Sequence, residues 1–207
     1  MTGFFITGTD TDVGKTYVTA RLARQYLAQG QAVAVRKPVA SGCGEDLNHC
    51  ADAHYLAQAS GEDEWLICPH RFAPAVSPAR AMQETNNILS IDELATACRA
   101  QTQGKITLVE GAGGWLSPLT PTHYNADLAI ALQLPIILVV ANRLGCINHA
   151  LLTLHHIQSL RLTCNKLVLN NVLPNQDYDA LQELTQHLST SYPQTIISKK
   201  TYQGKII

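Results

Sequence analysis

The sequence predicts an α/β fold with a mostly parallel sheet and helices on both faces. Three observations carry this. Short apolar runs alternate with segments of helical spacing, the apolar runs are continuous rather than alternating, and a glycine-rich loop joins the first run to the first helix. A strand buried on both faces has no polar side, so continuous Val/Ile/Leu runs mark a sheet covered by helices.

The elements follow in order. Phe4-Phe5-Ile6-Thr7 is a short strand ending at Gly8, and residues 13–28 carry helical spacing through Val18, Leu22, Tyr26 and Leu27. Ala32-Val33-Ala34-Val35 reads as a second strand, residues 51–59 and 91–103 as helices, and Ile106-Thr107-Leu108-Val109 as a third strand. Residues 135–140 form a strand, 147–160 a helix, 166–169 a strand and 178–188 a final helix. The least regular stretch, residues 41–87, holds Pro69, Pro74 and Pro78 among polar residues. It reads as loops over the carboxyl end of the sheet, where α/β proteins keep their sites.

Composition bounds the answer. The 207 residues, 46% hydrophobic and 15% charged, suit one compact domain spanning 1–207. Lys+Arg 15 against Asp+Glu 16 leaves a net charge of −1, without the basic footprint of a nucleic-acid or anionic-membrane binder. The six cysteines include no C-x-x-C pair, which suggests reduced thiols in a cytoplasmic protein. The N-terminus lacks the basic region of a signal peptide. The longest apolar stretch, residues 128–141, is broken by Gln133 and Pro135, and is shorter than the roughly 20 residues of a membrane span.

After the first strand stands Gly8-Thr9-Asp10-Thr11-Asp12-Val13-Gly14-Lys15-Thr16. This is a phosphate-binding loop (P-loop), and the fold expected is a single-domain P-loop NTPase-like one. Backbone N–H groups and the open first turn of a helix converge on phosphate oxygens, Lys15 adds a point charge, and the Thr16 hydroxyl suits Mg²⁺. The spacing departs from G-x-x-x-x-G-K-[ST], since Thr9 stands where its first glycine belongs. An acid, Asp10, also occupies the place of the second, signature lysine of partitioning and metal-pump ATPases, which weighs against a nucleotide switch. The Asp10 side chain is expected to hydrogen-bond the loop backbone.

Two further strand ends carry chemistry. Arg36-Lys37-Pro38-Val39-Ala40-Ser41-Gly42 puts Lys37 and Ser41 beside the phosphate loop if the first two strands are neighbours, where a lysine neutralises developing phosphoryl charge. Val109-Glu110-Gly111-Ala112-Gly113-Gly114-Trp115 puts an acid at a strand end before a glycine-rich turn, the position of a Walker B carboxylate. Asp52, at the start of a helix, is favoured there by the helix dipole in any case. With Thr16 and Glu110 it forms an oxygen set suited to Mg²⁺.

Four blocks in order, at 8–16, 37–42, 109–115 and Leu144-Gly145-Cys146-Ile147-Asn148-His149-Ala150, resemble the dethiobiotin synthetase family. The resemblance implies ATP-dependent ureido ring closure of 7,8-diaminononanoate with CO₂ to dethiobiotin, ADP and phosphate, a ligase step of biotin biosynthesis. It implies Lys15, Lys37, Thr11 and Ser41 as catalytic groups around the carbamate and transferred phosphoryl group, and Thr16, Asp52 and Glu110 as Mg²⁺ ligands. Nucleotide contacts would run from Asp12 through Val13, Gly14, Lys15 and Thr16 to Tyr17, with Glu110, Gly111 and Gly113, and Asn170 at the adenine. Asp12 and Ser41 would face the substrate, and Gly145 and Asn148 its tail across a homodimer interface. His149, His155 and His156 are assigned to the helix, not to chemistry. The stretch Pro193-Gln194-Thr195-Ile196-Ile197-Ser198-Lys199-Lys200 departs from the family's Leu-Gly-x-x-Pro-like segment beside the adenine, so nucleotide selectivity is the property left open.

Overall fold

The computed structural model describes residues 1–48, 50–174 and 177–201. β1 (Thr2–Gly8) leads through the glycine-rich loop into α1 (Lys15–Ala28), and β2 (Val33–Arg36) follows. The chain then leaves the main sheet through β3 (Val39–Ser41), α2 (Ala51–Ser60), α3 (Glu64–Ile67), β4 (His70–Phe72) and α4 (Pro78–Glu84). It returns with α5 (Ile91–Arg99) and β5 (Ile106–Glu110), then makes a small hairpin of β6 (Pro118–Thr120) and β7 (His123–Tyr124). The remaining elements are α6 (Asn125–Leu132), β8 (Ile136–Ala141), α7 (Cys146–Ser159), β9 (Cys164–Asn170), α8 (Leu181–Ser191) and β10 (Ile196–Lys200).

The six-stranded sheet runs β10-β9-β8-β1-β5-β2, every pairing parallel. Alternate strand residues face opposite layers. Phe5, Val109, Leu138 and Leu167 pack toward α4 to α8, through Met82, Leu94, Leu128, Leu154 and Leu184. Ile6, Leu108, Val139 and Val168 pack toward α1 and α2, through Val18, Leu22, Ala53 and Leu56. The carboxyl ends of β1, β5, β8 and β9 therefore open on one edge, at the point where connections from β1 run one way and those after β5 run the other.

Several expectations are corrected. Residues 41–87 hold, besides the helix expected at 51–59, the further helices α3 and α4 and strand β4, which pairs in parallel with β3, rather than loops alone. β1 and β2 are not neighbours, because β5 lies between them. Strand β10 carries no apolar run of its own beyond Ile196-Ile197 and is recruited by edge pairing, Ile196 to Lys166 through Lys200 to Asn170. The helix expected over 91–103 stops at Arg99, where the buried Arg36 guanidinium takes the Ala100 carbonyl at 2.7 and 3.1 Å. The last helix begins at Leu181 because Asn142 takes the turn before it, donating to the Tyr178 carbonyl and accepting from Ala180 N–H. All six cysteines are free and buried. Among the described residues no helix is long and apolar enough to cross a membrane.

Candidate active site

Over the carboxyl edge of β1, β5 and β9 lies a cavity of about 880 Å³. Its floor is the loop between β1 and α1. Gly14 caps α1 with φ of 90°, a left-handed conformation that suits glycine, and the first turn of the helix holds no acidic side chain. The uncapped N–H groups of that turn face the cavity with the positive end of the helix dipole. Lys15 Nζ folds back onto the Asp10 carbonyl at 2.9 Å. Burial pushes the Lys15 ammonium down to about 8, and the Glu110 carboxylate only partly offsets this. A phosphate entering here meets a poorly solvated cation and a fan of N–H donors. Thr11, Asp12, Gly14, Thr16 and Tyr17 line the same floor. Val13 lies beneath, its carbonyl accepting from Asn170 Nδ2 at 2.8 Å. Asp10 behaves as expected, its Oδ1 accepting from Thr11 N–H at 2.8 Å while Oδ2 meets Arg143 at 3.2 Å.

Lys37 reaches the site by a different route from the one expected. It follows β2, which lies beyond β5, and its N–H donates to the Ile67 carbonyl, turning the chain over the sheet edge. Its ammonium then sits between two carboxylates, 2.7 Å from Glu110 Oε1 and 2.8 Å from Asp52 Oδ2. Burial alone would push the Lys37 ammonium down, but attraction and hydrogen bonds from Glu110 and Asp52 outweigh it and hold the group above its ordinary value. Asp52 is held below the usual carboxylate range, chiefly by the Lys37 charge against the cost of burial, with hydrogen bonds from Lys37 and Thr16 adding to it. Thr16 Oγ1 donates to Glu110 Oε1 at 2.7 Å.

Thr16, Asp52 and Glu110 thus come together as a hard-oxygen set. Glu110 Oε2 is buried with no hydrogen-bond partner, an acceptor left for a cation. Among the described residues no group of three or more His, Cys, Asp or Glu side chains gathers to hold a metal. Two carboxylates and a hydroxyl fit Mg²⁺, which commonly takes its other oxygens from phosphate and water.

The Gly111 to Gly114 turn crosses the cavity rim. Sequence reasoning missed the residue that holds it: Asn125, fully buried at the start of α6, accepts from Ala112 N–H at 3.0 Å and donates to the Ala112 and Gly114 carbonyls at 2.6 and 2.9 Å. A side chain at Gly111 would meet Asn125 Oδ1 at 2.6 Å, and one at Gly113 would meet Ser117 Oγ at 2.6 Å. Ser41 lines the cavity and donates its hydroxyl to the Val76 carbonyl at 2.5 Å. Asn170 is present at the far end, but its amide is already engaged, Nδ2 by Val13 and Oδ1 by Lys200 Nζ at 3.2 Å. Lys200, also missed, sits 3.3 Å from the Tyr17 ring centroid. It escaped notice because a lysine near a polar strand end carries no local signal.

Gly145 and Asn148 are not brought to this cavity. Gly145 caps α7, and Asn148 lines a separate depression with Leu152, His155 and Tyr192. His156 accepts from Trp115 Nε1 at 2.8 Å, a structural contact.

A six-stranded parallel sheet with a lysine-tipped loop opening its first helix, and a strand-end acid on the loop threonine, defines a P-loop nucleotide-binding protein. Solved structures agree on the fold. The ParA family ATPase of Chlorobium tepidum superposes with a TM-score of 0.57 at 13% identity, covering 99% of this chain and 84% of that one. The signal recognition particle receptor FtsY of Elizabethkingia anophelis gives 0.56 at 13% identity over 96% of this chain, which spans 58% of the FtsY chain. The family model described as AAA domain matches residues 2–192. Sequence relatives narrow this to one family. The ATP-dependent dethiobiotin synthetase BioD of Pseudoalteromonas translucida is 42% identical over 86% of this chain and 81% of its own length. Those of Alteromonas mediterranea and Pseudomonas aeruginosa are 36% and 41% identical, over 100% and 92% of this chain and 94% and 84% of their own lengths. The chain belongs to the ATP-dependent dethiobiotin synthetase family.

Proposed function

We propose that residues 1–207 form one P-loop domain that closes the ureido ring of dethiobiotin from 7,8-diaminononanoate, CO₂ and ATP. The observation that carries this is the Lys37 ammonium held between Glu110 and Asp52 within reach of the phosphate loop. That is a place to stabilise an oxygen-bound anion, with no nucleophilic side chain required of the protein. One substrate amine adds to CO₂, losing a proton and forming a carbamate. A carbamate oxygen attacks the γ-phosphorus, and the bond to the ADP oxygen breaks. The second amine then attacks the carbamate carbon of the mixed anhydride, phosphate leaves, and the amine proton is lost as the cyclic urea forms.

Each step needs positioning and charge neutralisation more than covalent help. Lys15 and the first-turn N–H groups of α1 hold the phosphates. Lys37 faces the carbamate and the transferred phosphoryl group, with Thr11 and Ser41 as hydroxyl partners, and Asp12 stands at the cavity mouth to receive a substrate amine. Gly111 and Gly113 let the rim turn approach the nucleotide. Thr16, Asp52 and Glu110 would hold Mg²⁺, which when bound neutralises phosphate charge. Gly145 and Asn148 would serve the substrate tail of a second subunit in a homodimer, a reading supported by the exposed Leu144 and Leu152 at the start and along one side of α7. The buried free thiols support a cytoplasmic setting.

The test is release of nucleoside diphosphate by purified protein with Mg²⁺-ATP, with and without 7,8-diaminononanoate and bicarbonate, alongside product mass. Diamine-dependent release with a cyclic urea is expected. Hydrolysis indifferent to the diamine would replace this reading with a nucleotide switch. Light scattering in solution checks the dimer.

A further inference from the structure

Three thiols that no step of the reaction uses gather behind the cavity wall. Arg71, buried in β4, draws their segments together: its Nε donates to the Cys68 carbonyl at 2.9 Å and its Nη1 to the Leu47 carbonyl at 3.1 Å. The Cys43 N–H donates to the adjacent Phe72 carbonyl at 3.0 Å. Cys50 stands just before α2, its carbonyl accepting from His54 N–H at 2.9 Å. These anchors bring Cys43, Cys50 and Cys68 into one apolar cluster with Ala40, Ala53, Leu56 and Ile67, each cysteine 3% exposed or less. Within it the Cys50 thiol is hydrogen-bonded to the Cys43 thiol on one side and the Cys68 thiol on the other.

The two neighbours of Cys50 are not equivalent. Cys68 is fixed between α3 and β4, its N–H donating to the Glu64 carbonyl at 2.9 Å and its Sγ directed at the His70 carbonyl at 3.7 Å. Cys43 lies between Gly42 and Gly44, both exposed and at φ of 72° and 75°, and the largely exposed stretch 44–48 leads from it toward Cys50. A disulfide is only about 2.05 Å long, so bonding requires one partner to give, and the glycine-flanked one gives at lower cost.

We propose that Cys50 and Cys43 are a redox-active pair, oxidised by hydrogen peroxide to a disulfide that distorts the active site. The Cys50 sulfur attacks a peroxide oxygen, the O–O bond breaks, water leaves with the thiol proton, and a sulfenic acid forms. The Cys43 sulfur then displaces the sulfenic hydroxyl, which leaves with the Cys43 proton as a second water. Two thiols are oxidised and one peroxide is reduced. Cys43 lies two residues after Ser41 and Cys50 two residues before Asp52, and both of those line the cavity. Closing the bond therefore pulls on two parts of the wall at once and draws Asp52 away from Lys37. The bond itself does not depend on the ring-closure reading; its effect on turnover rests on that reading.

The experiment exposes the full chain to hydrogen peroxide, alkylates the remaining thiols without reduction and maps the peptides by mass after cleavage at acidic residues. Glu45 separates Cys43 from Cys50 and Glu62 separates Cys50 from Cys68, so each linkage has its own mass. A Cys43–Cys50 link is expected. Diamine-dependent turnover should fall about 10²-fold, the scale of a displacement of about 1 Å at a catalytic group, and return with dithiothreitol. Cys50→Ser should show neither the link nor the loss, and Cys68→Ser should keep both. If Cys50→Ser does not fold, Cys68→Ser decides. Thiols that all remain free to alkylate, a Cys50–Cys68 link instead, a linked protein with undiminished turnover, or a loss that persists in Cys50→Ser each overturn the proposal. Failure of the ring-closure reading is distinguishable, because it removes diamine dependence from the reduced protein before any peroxide is added.

Discussion

Beside the phosphate loop the buried Lys37 is held by two carboxylates at 2.7 and 2.8 Å, whereas at the Asn170 side of the cavity the buried Lys200 has an amide oxygen and an aromatic face. Both are lysines at strand ends, yet carboxylates raise the first and burial lowers the second. Residue type therefore says little about a lysine's task; its partners decide whether it stays a permanent cation for phosphoryl chemistry or carries the cost of burial uncompensated by a carboxylate among the described residues. The first arrangement is compensated before any ligand arrives.

The sharpest way to break this contrast is Lys37→Ala. Diamine-dependent turnover should fall by about 10²–10³, the usual cost of losing a preorganised charge-stabilising donor. Stability should fall by about 3–5 kcal/mol, because Glu110 is left buried without its cation. Urea titration checks the second effect, and the double variant Lys37→Met/Glu110→Gln should recover much of the stability and none of the turnover.

Gly14→Ala attacks both ends together. Its φ of 90° and a Cβ only 2.1 Å from Asn170 Nδ2 force the loop and the Asn170 amide apart. Backbone strain of this kind costs about 1–3 kcal/mol, so nucleotide affinity measured by calorimetry should weaken about tenfold or more. A variant that binds as well as the parent would sink the idea that the amide and the loop are braced together.

Asn125→Ala should separate the rim turn from both lysines. Losing the partner of Ala112 N–H and of two carbonyls should cost about 1–3 kcal/mol in chemical denaturation.

The smallest effect is pH-dependent. Because the Lys200 ammonium is lowered from 10.5 to about 8, the unfolded chain binds more protons there between those values. The penalty on the folded state is full below about pH 8 and fades as pH rises toward 10.5. Lys200→Met should therefore gain most in relative stability near pH 7, and the gain should shrink by pH 10. A difference that stays constant with pH would leave Lys200 fully solvated.

Much of the phosphate end was legible in the chain. Lys15, Thr16 and Glu110 stand in contiguous motifs whose local strand–loop–helix context sets their geometry, and periodicity located the main strands within two residues at each end. Lys37 was legible for the wrong reason, since β2 lies outside β5 and the lysine arrives by a turn anchored on Ile67. Asn125 and Asn142 were invisible because their value lies in hydrogen bonds to backbone groups 11 to 38 residues away along the chain. Lys200 was invisible because β10 is polar at its end and becomes a strand only by adding to the edge of β9.

By itself the sequence determined the α/β class, the phosphate loop and the acid and lysine that face it, because short-range backbone geometry and burial on both strand faces leave a local signature. Only the tertiary structure decided which strand ends meet, which amide oxygens are already engaged, and which buried lysine has, among the described residues, an amide and an aromatic ring in place of a carboxylate. Those depend on long-range pairing and on the low dielectric of a closed cavity, and neither is encoded in any one segment.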